Sequence, residues 1–267
     1  MELKNLIKDH IVWRHQIFKL AKSDLIKTYS GAALGWAWAI IKPAVTIFVY
    51  WFAFSIGLRQ RAGIEGFPFF LWLIAGIISW FYIQEMLTQG TNSMRKYKHL
   101  ITKMKFPVGT IPTFVSMSKL VVHLVLLLIV FVIYIAFGEP LTIYYLQLPI
   151  YMLLMFLFCT GWTLFGSVLA AISRDFSNLV KSCTTALFWL SGIMWPVTKI
   201  HSHIGRMILK ANPITFTVEG YRNCFVHHVW IWQEPKELLV YLCELVIMWI
   251  LALWVFKKLK KDMPDVL

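Results

Sequence analysis

Charged side chains are scarce in this sequence, and acidic ones are the scarcest. Asp, Glu, Lys and Arg make up 15% of the 267 residues, whereas hydrophobic residues make up 59%, against roughly 45–50% in soluble domains. A soluble chain of this length cannot bury that much apolar surface in one core, but a bilayer solvates the outward faces. The 26 Lys and Arg outnumber the 13 Asp and Glu and lie between apolar runs, which indicates the positive-inside bias of membrane proteins and no nucleic-acid partner.

Motifs for catalysis and metal binding are also missing. There is no GxxxxGK[ST] loop for nucleotide phosphates and no HExxH, GxSxG or paired-carboxylate motif. The four cysteines are widely spaced, which excludes a disulfide framework or a CxxC metal site. Two histidine pairs remain, His201 with His203 and His227 with His228. No acid or cysteine accompanies them at ligand spacing, so we expect them to face lipid headgroups. We predict no catalytic site, no metal and no cofactor bound by this chain.

Long apolar runs, separated by charged, glycine and proline residues, are what the sequence has instead. A membrane span needs roughly 20 mostly apolar residues. Six segments qualify: 33–58, 67–88, 109–137, 146–172, 179–198 and 237–257. The sequence therefore predicts an all-α integral membrane protein, with a transmembrane domain of six transmembrane helices over 31–257 and a tail over 258–267.

The distribution of Lys and Arg orients these spans. Seventeen lie in the N-terminal segment, the second and fourth loops and the tail, and seven lie in the other three loops. Because the excess of basic residues lies on the cytoplasmic side, both termini are predicted to be cytoplasmic.

Amphipathic patterns flank the spans at both membrane faces. Residues 1–30 carry an apolar stripe at helical spacing opposite a basic one, which predicts a helix lying in the cytoplasmic headgroups; packing on a partner protein is the alternative. In the fifth loop, 199–235, two apolar stripes meet at an N-cap followed by a first-turn proline, Asn212-Pro213. They predict a helical hairpin, either re-entrant or on the outer surface.

Charges inside the spans are costly and usually face protein or water. Lys42 lies early in span one and is expected to snorkel to the headgroups. Lys119 shares a helix face with Ser116 and His123, near the middle of the bilayer. Glu244 of the sixth span lies at a similar depth, so we expect an interaction between Lys119 and Glu244 as a structural pair.

Aromatic residues are abundant, at 16% of the chain with 13 Trp. They cluster at Trp36 and Trp38 in span one and at Phe188 and Trp189 in span five. Aromatic faces stack on sugar rings, so a channel lined in this way suits a glycan. For each single residue, contact with lipid or with a neighbouring helix is the alternative.

Four runs of residues, in order along the chain, carry a resemblance to a known family. They are Tyr29-Ser30-Gly31 through Leu34-Gly35-Trp36-Ala37-Trp38 to Lys42-Pro43, Asn92 through Leu100-Ile101 to Lys105-Phe106-Pro107, Arg174-Asp175-Phe176, and Asn212-Pro213 through Gly220-Tyr221-Arg222. With the N-terminal helix, the spans and the outer hairpin, the whole chain resembles the permease subunits of ABC polysaccharide exporters of the teichoic-acid (TarG-like) and O-antigen (Wzm-like) classes.

The resemblance implies a half-transporter in the bacterial cytoplasmic membrane. Two copies would form a homodimeric pore, and two copies of a separate ABC ATPase subunit, which uses ATP and Mg, would dock below it. The loop 91–106 would contain the coupling helix, with contacts from Arg95, Lys96, Lys98, Lys103, Lys105 and Phe106. Arg174 and Asp175 would lie at the cytoplasmic base of the pore. Aromatics of spans one and five would hold the sugar chain of the cargo as it passes. The outer hairpin, with Asn212, Pro213, Tyr221 and Arg222, would gate or steer the lipid tail of the cargo.

The implied cargo is a polyprenyl-diphosphate-linked cell-surface polysaccharide, with wall teichoic acid favoured over O-antigen. Basic residues near the cytoplasmic mouth would attract the diphosphate. One alternative is export of a drug or small lipid. Another is a membrane-embedded enzyme acting on lipid carriers, although such enzymes need clustered acids or histidines at the membrane boundary. A third is a passive channel or structural membrane protein.

Overall fold

The computed structural model describes residues 2–31, 33–54, 64, 66–104, 106–263 and 267. The end of predicted span one, most of the first outer loop and Lys105 lie outside the described residues. The described α-helices before the second loop are α1 Glu2–Val12, α2 Arg14–Tyr29, α3 Trp38–Phe52 and α4 Phe69–Glu85. The second loop contains α5 Ser93–Lys96 and α6 Lys98–Thr102. The helices after it are α7 Ile111–Ala136, α8 Leu148–Ile172, α9 Arg174–Trp189, α10 His203–Lys210, α11 Pro213–Arg222 and α12 Pro235–Leu259.

Five of these segments are long and apolar enough to cross a membrane: Gly35–Phe52, Phe69–Gly90, Val108–Ala136, Ile143–Ile172 and Pro235–Leu259. The all-α membrane architecture is therefore confirmed. The predicted fifth span, 179–198, corresponds to α9, which has 16 residues and a length of about 24 Å, short of the ~30 Å hydrocarbon core. The count of six spans is not confirmed and stays a prediction.

The N-terminal segment forms two helices, whereas the sequence predicted one. The break falls at Trp13, between α1 and α2. On α2, Ile17, Ala21 and Leu25 are buried, and α2 packs along α7. Leu6 on α1 is buried as well, whereas the other apolar side chains of the stripe are exposed, among them Ile7, Ile11 and Phe18. The stripe is thus divided between packing on a span and a surface suited to headgroups.

Helix α4 is the centre of the bundle. It is apolar on every side, as expected of a helix surrounded by others, and most of its residues are buried. It packs against α3, α7 and α11, and a second close pair is formed by α8 and α12. A proline lies in the first turn of each of α7, α8, α11 and α12. At this position its missing N–H removes no helical hydrogen bond.

The predicted hairpin forms, with its break at the predicted position. Asn212 caps α11, since its side-chain oxygen accepts from the Ile214 N–H at 2.9 Å, and Pro213 is the first residue of the helix. Helix α11 lies among α4, α8 and α12, and the cap residues border an apolar cavity of about 200 Å³ beside Cys159 and Tyr241. Since these two residues belong to membrane spans, the tip of the hairpin reaches inside the bundle.

Candidate functional site

A cavity of about 780 Å³ opens between α2 and α3 on one side and α4 and α7 on the other. Its wall carries four charged side chains, Lys42, Glu85, Lys96 and Lys119. Uncharged polar side chains accompany them, among them Thr28, Tyr29, Thr46, Gln84, Thr88, Gln89 and His123. Three cations and one carboxylate make the wall net positive, and charges in a low-dielectric cleft act on a ligand more strongly than charges in open water.

The cations of the cavity differ in how they are neutralised. Lys119 is buried, and its Nζ lies 3.1 Å from the Oε2 of Glu85. Lys96 bonds to Asp24, which lies behind the wall. Lys42 is exposed, with its Nζ 5.9 Å from the centroid of the Trp38 ring. Lys42 therefore has the ammonium group best placed to meet an anionic ligand.

The predicted pair of Lys119 with Glu244 is wrong, because Lys119 pairs with Glu85. Glu244 lies on α12, which packs mainly on α8, whereas α4 packs directly on α7. The depth argument was compatible with both acids, but the order of the helices around the bundle selects Glu85. A Gln84-Glu85 pair ending an apolar span was the signal for it in the sequence.

Buried hydrogen bonds run from the cavity toward the outer hairpin. Ser116, Lys119 and His123 are all buried on α7, as their shared face predicted. Tyr82 and Ser116 share a hydrogen bond of 2.5 Å, and His123 Nε2 lies 2.7 Å from the hydroxyl of Tyr221 on α11. Tyr221, predicted as a gate residue, thus contacts a residue of the cavity wall.

Asp24, for which the sequence predicted no role, lies at the junction of three elements. Its carboxylate on α2 is fully buried and accepts hydrogen bonds from Lys96, Tyr97 and Ser118. Burial raises the pKa of this carboxyl, but the three donors outweigh burial and hold the pKa below its usual value. The available signal was that Asp24 is the single acid of the otherwise basic helix α2.

The loop 91–106 turns half of its predicted contact residues inward. The guanidinium of Arg95 donates to the carbonyls of Ala170 and Ala171, so it caps the end of α8. Lys96 bonds to Asp24, and Phe106 is buried, with its ring centroid 5.4 Å from that of Trp13. These three residues anchor the loop to the bundle.

The outward face of the same loop is basic. Lys98, His99, Thr102, Lys103 and Met104 are exposed; we call these five residues the loop surface. Arg174 and Asp175, predicted at the base of the pore, are exposed in the first turn of α9. Arg95 bonds to the carbonyls of Ala170 and Ala171, which lie just before Arg174 in the chain, so both guanidinium groups lie at the same end of the bundle. Burial and, to a smaller extent, the positive charge of Arg174 lower the pKa of Arg95.

The four predicted channel aromatics do not form one cluster within a single chain. Trp38 lines the cavity, and Trp36 and Trp189 are about half exposed. Phe188 is buried, with ring centroids 5.3 Å from Tyr50 and 5.5 Å from Trp80. Phe188 therefore belongs to the core that joins α3, α4 and α9.

Helix α9 exposes a polar face. Its buried stripe is narrow and consists of Ser177, Val180, Thr184 and Phe188. The exposed positions include Asn178, Lys181, Ser182, Cys183 and Thr185. Polar side chains in a membrane domain face protein or water, so this face requires a water-filled path or another chain.

Arg222 locks the outer hairpin in place. It is fully buried, and its guanidinium carbon lies 3.4 Å from the centroid of the Trp72 ring. Its two terminal nitrogens donate to the carbonyls of Gly192 and Ile193 at 2.8 and 2.7 Å, and it pairs with Glu219. Arg222 joins α11 to α4 and to the segment that follows α9.

Comparison with known proteins identifies the class. The sequence profile of the ABC-2 type transporter family matches residues 15–226, so the chain belongs to that family and is a membrane subunit of an ABC transporter. The O-antigen export system permease protein RfbA of Myxococcus xanthus is 24% identical over 245 residues, 91% of this chain and 92% of that protein. A protein of the same name from Klebsiella pneumoniae is 22% identical over 249 residues, 93% of each chain. The resemblance to permeases of ABC polysaccharide exporters is confirmed.

Proposed function

We propose that this chain is the permease subunit of an ATP-driven exporter that moves a lipid-linked cell-surface polysaccharide across the bacterial cytoplasmic membrane. The cargo is of the O-antigen class, because the relatives that match the chain over more than 90% of its length are named for O-antigen export. The preference for wall teichoic acid drawn from the sequence has no such support. No phosphate loop for ATP stands in this sequence, so the energy comes from a separate ATPase subunit.

Homodimer formation is supported by two surfaces. The apolar segment Gly35–Phe52 is almost entirely left uncovered by the rest of its own chain. The exposed face of α9 is polar. Tyr50 and Phe188 hold α3 and α9 together. A second copy facing these helices encloses a polar path between them and removes the polar face of α9 from lipid. The exposed indoles of Trp36 and Trp189 then lie where sugar rings pass.

The basic cavity suits the charged end of the cargo. A polyprenyl diphosphate carries its anionic groups at the membrane surface, between an apolar tail and a polar glycan. The cavity offers Lys42 and Lys119 beside an indole, Trp38. Ammonium groups form short, charge-assisted hydrogen bonds to phosphate oxygens, so the diphosphate binds in the cavity while the tail stays in lipid.

The loop surface is the docking site for the ATPase subunit. Lys98 and Lys103 project from the short helices of the loop, while Arg95 and Phe106 fix it to the bundle. A rigidly held basic surface is suited to an acidic groove, because complementary charge raises the rate of association and fixes register.

Transport by the reconstituted complex tests the proposal. The chain is purified with its ATPase, placed in liposomes with a polyprenyl-diphosphate-linked glycan, and glycan export is measured with a membrane-impermeant lectin. We expect ATP-dependent export and no export when the phosphate-loop lysine of the ATPase is replaced by alanine. Export without the ATPase would contradict the proposal that a separate ATPase supplies the energy. Preference for a poly(glycerol phosphate) chain over a neutral glycan would contradict the assignment of the cargo to the O-antigen class.

A further inference from the structure

Among the described residues, Asp24 is the one carboxylate whose side chain has no surface exposed to solvent. Its Oδ1 accepts from the Nζ of Lys96 at 2.5 Å and from the hydroxyl of Tyr97, and its Oδ2 accepts from Ser118 at 2.5 Å. Lys96 and Tyr97 belong to the loop 91–106, and Ser118 belongs to α7. One carboxylate therefore joins three elements, which we call the Asp24 joint.

The joint lies between the loop surface and the cavity. Lys98 and His99 of the loop surface follow Tyr97 directly in the chain. On the other side, Thr28 is one helical turn from Asp24, and Lys119 is next to Ser118; both line the cavity, as does Lys96. Each partner of Asp24 thus either lines the cavity or is next in sequence to a residue of the loop surface or of the cavity wall.

A buried carboxylate is a costly way to hold helices together. Apolar side chains of similar volume often stabilise a fold as well as a buried ion pair does, so such a pair is weak evidence of a need for stability. Hydrogen bonds to a carboxylate are directional, and they keep their partners in one register. This property is useful where one element has to follow another during a movement.

We infer that Asp24 is a positioning residue that transmits the movement of the loop 91–106 to the walls of the basic cavity. When the ATPase displaces the loop, α2 and the first turns of α7 move with it as one rigid body. Thr28, Tyr29 and Lys119 then shift relative to Lys42 on α3, and the cavity changes shape. Without the joint, the loop moves and the cavity wall does not follow.

This inference rests on the proposed function, and coupling measured in the reconstituted complex tests it. Asp24→Asn removes the charge and almost no volume. Tyr97→Phe removes one donor and keeps the ring packed against Phe114, 4.8 Å away between centroids, and Lys96→Gln removes the cation. Asp9→Asn on α1 is the matched control, since it removes an acid of the N-terminal segment outside the joint.

We expect Asp24→Asn to leave basal ATP hydrolysis within about twofold of wild type and to lower glycan exported per ATP by about tenfold, the size of a typical coupling between sites. Lys96→Gln and Tyr97→Phe have smaller effects in the same direction. Asp24→Asn with Lys96→Gln together is no worse than Asp24→Asn alone, because both act on one interaction. Equal loss of basal hydrolysis and export, with a lower melting temperature, would mean that the joint only stabilises the fold.

A second measurement does not depend on the cargo. Spin labels on Lys27→Cys of α2 and Thr102→Cys of the loop, a pair that leaves Lys98 and Lys103 unchanged, are placed in a chain whose Cys183 and Cys243 are replaced by serine. We expect the distance between labels to stay constant between nucleotide-free and ATP-bound complexes, and to change on ATP binding when Asp24→Asn is added. A constant distance in both chains would overturn the inference. A wild-type complex that hydrolyses ATP but exports no glycan would count against the proposed function alone.

Discussion

Single polar side chains hold this bundle together at three depths. Asp24 joins the N-terminal helix to the second loop, Lys119 pairs with Glu85 in the cavity, and Arg222 fixes the outer hairpin over Trp72. Each is buried in a largely apolar protein, where an unpaired charge is expensive. Removing the ion-pair partner of Asp24 or of Lys119 would therefore leave a buried charge unpaired.

Close packing at Gly220 gives a prediction about stability. A β-carbon on Gly220 would lie 2.2 Å from Cε1 of the buried Tyr151 ring, so Gly220→Ala forces α11 away from α8. We expect a loss of about 1–3 kcal/mol, as in other overpacked cores, measured as a lower melting temperature of the detergent-purified protein. Gly205→Ala on α10 is the control, since its nearest contact is 3.4 Å and alanine favours a helix. An unchanged melting temperature for Gly220→Ala would contradict this packing.

The cavity lysines give a prediction about binding. Lys42→Gln removes an exposed cation from the wall, and we expect the apparent affinity for a polyprenyl-diphosphate glycan to fall by about tenfold, equivalent to about 1.4 kcal/mol. The half-saturating concentration for stimulated ATP hydrolysis measures it. Lys199→Gln, in the outer loop, is expected to have no effect. Equal affinity of the Lys42→Gln and wild-type complexes would place the diphosphate elsewhere.

At the scale of elements, the sequence predicted those features that depend on residues close together in the chain. Apolar runs and proline positions predicted five of the six proposed spans and the hairpin break at Asn212-Pro213, because helix formation and capping depend on residues a few positions apart. The partner of Lys119 and the inward turn of Arg95 and Phe106 depend on which helices are neighbours. That arrangement is a property of the whole bundle, and a basic loop composition does not distinguish an anchor from a contact residue.

The loop surface gives a prediction about the ATPase interface. Lys98→Glu with Lys103→Glu reverses two exposed charges without touching the anchors. We expect the affinity for the ATPase subunit to fall by about tenfold or more, mainly through slower association that depends on salt. Surface plasmon resonance on nanodisc-embedded chain measures both rates. Lys22→Glu on α2, exposed at the same end of the bundle, is the control, and an equal loss from Lys22→Glu would show that net charge alone attracts the partner.

At the scale of the whole molecule, the polar face of α9 is the feature that a single chain leaves unexplained. An ordinary span faces lipid with apolar side chains, as α12 does with Leu239, Val246 and Ile250. Helix α9 is shorter and exposes Asn178, Ser182 and Thr185. At 16 residues α9 is too short to qualify as a span, and its polar exposed side chains suit it to border a hydrated path in the proposed dimer.

Two native cysteines test this difference without any substitution. Cys183 lies on the exposed face of α9, and Cys243 is exposed on α12, where it shares a helix face with the exposed Leu239, Val246 and Ile247. A thiol reacts as the thiolate, which needs water around it. In the assembled complex we therefore expect a charged, membrane-impermeant methanethiosulfonate to modify Cys183 at least about tenfold faster than Cys243, and a lipophilic maleimide to modify both. Comparable protection of the two thiols from the charged reagent would mean that α9 faces lipid or packed protein, and the hydrated path would then have to run elsewhere in the proposed dimer.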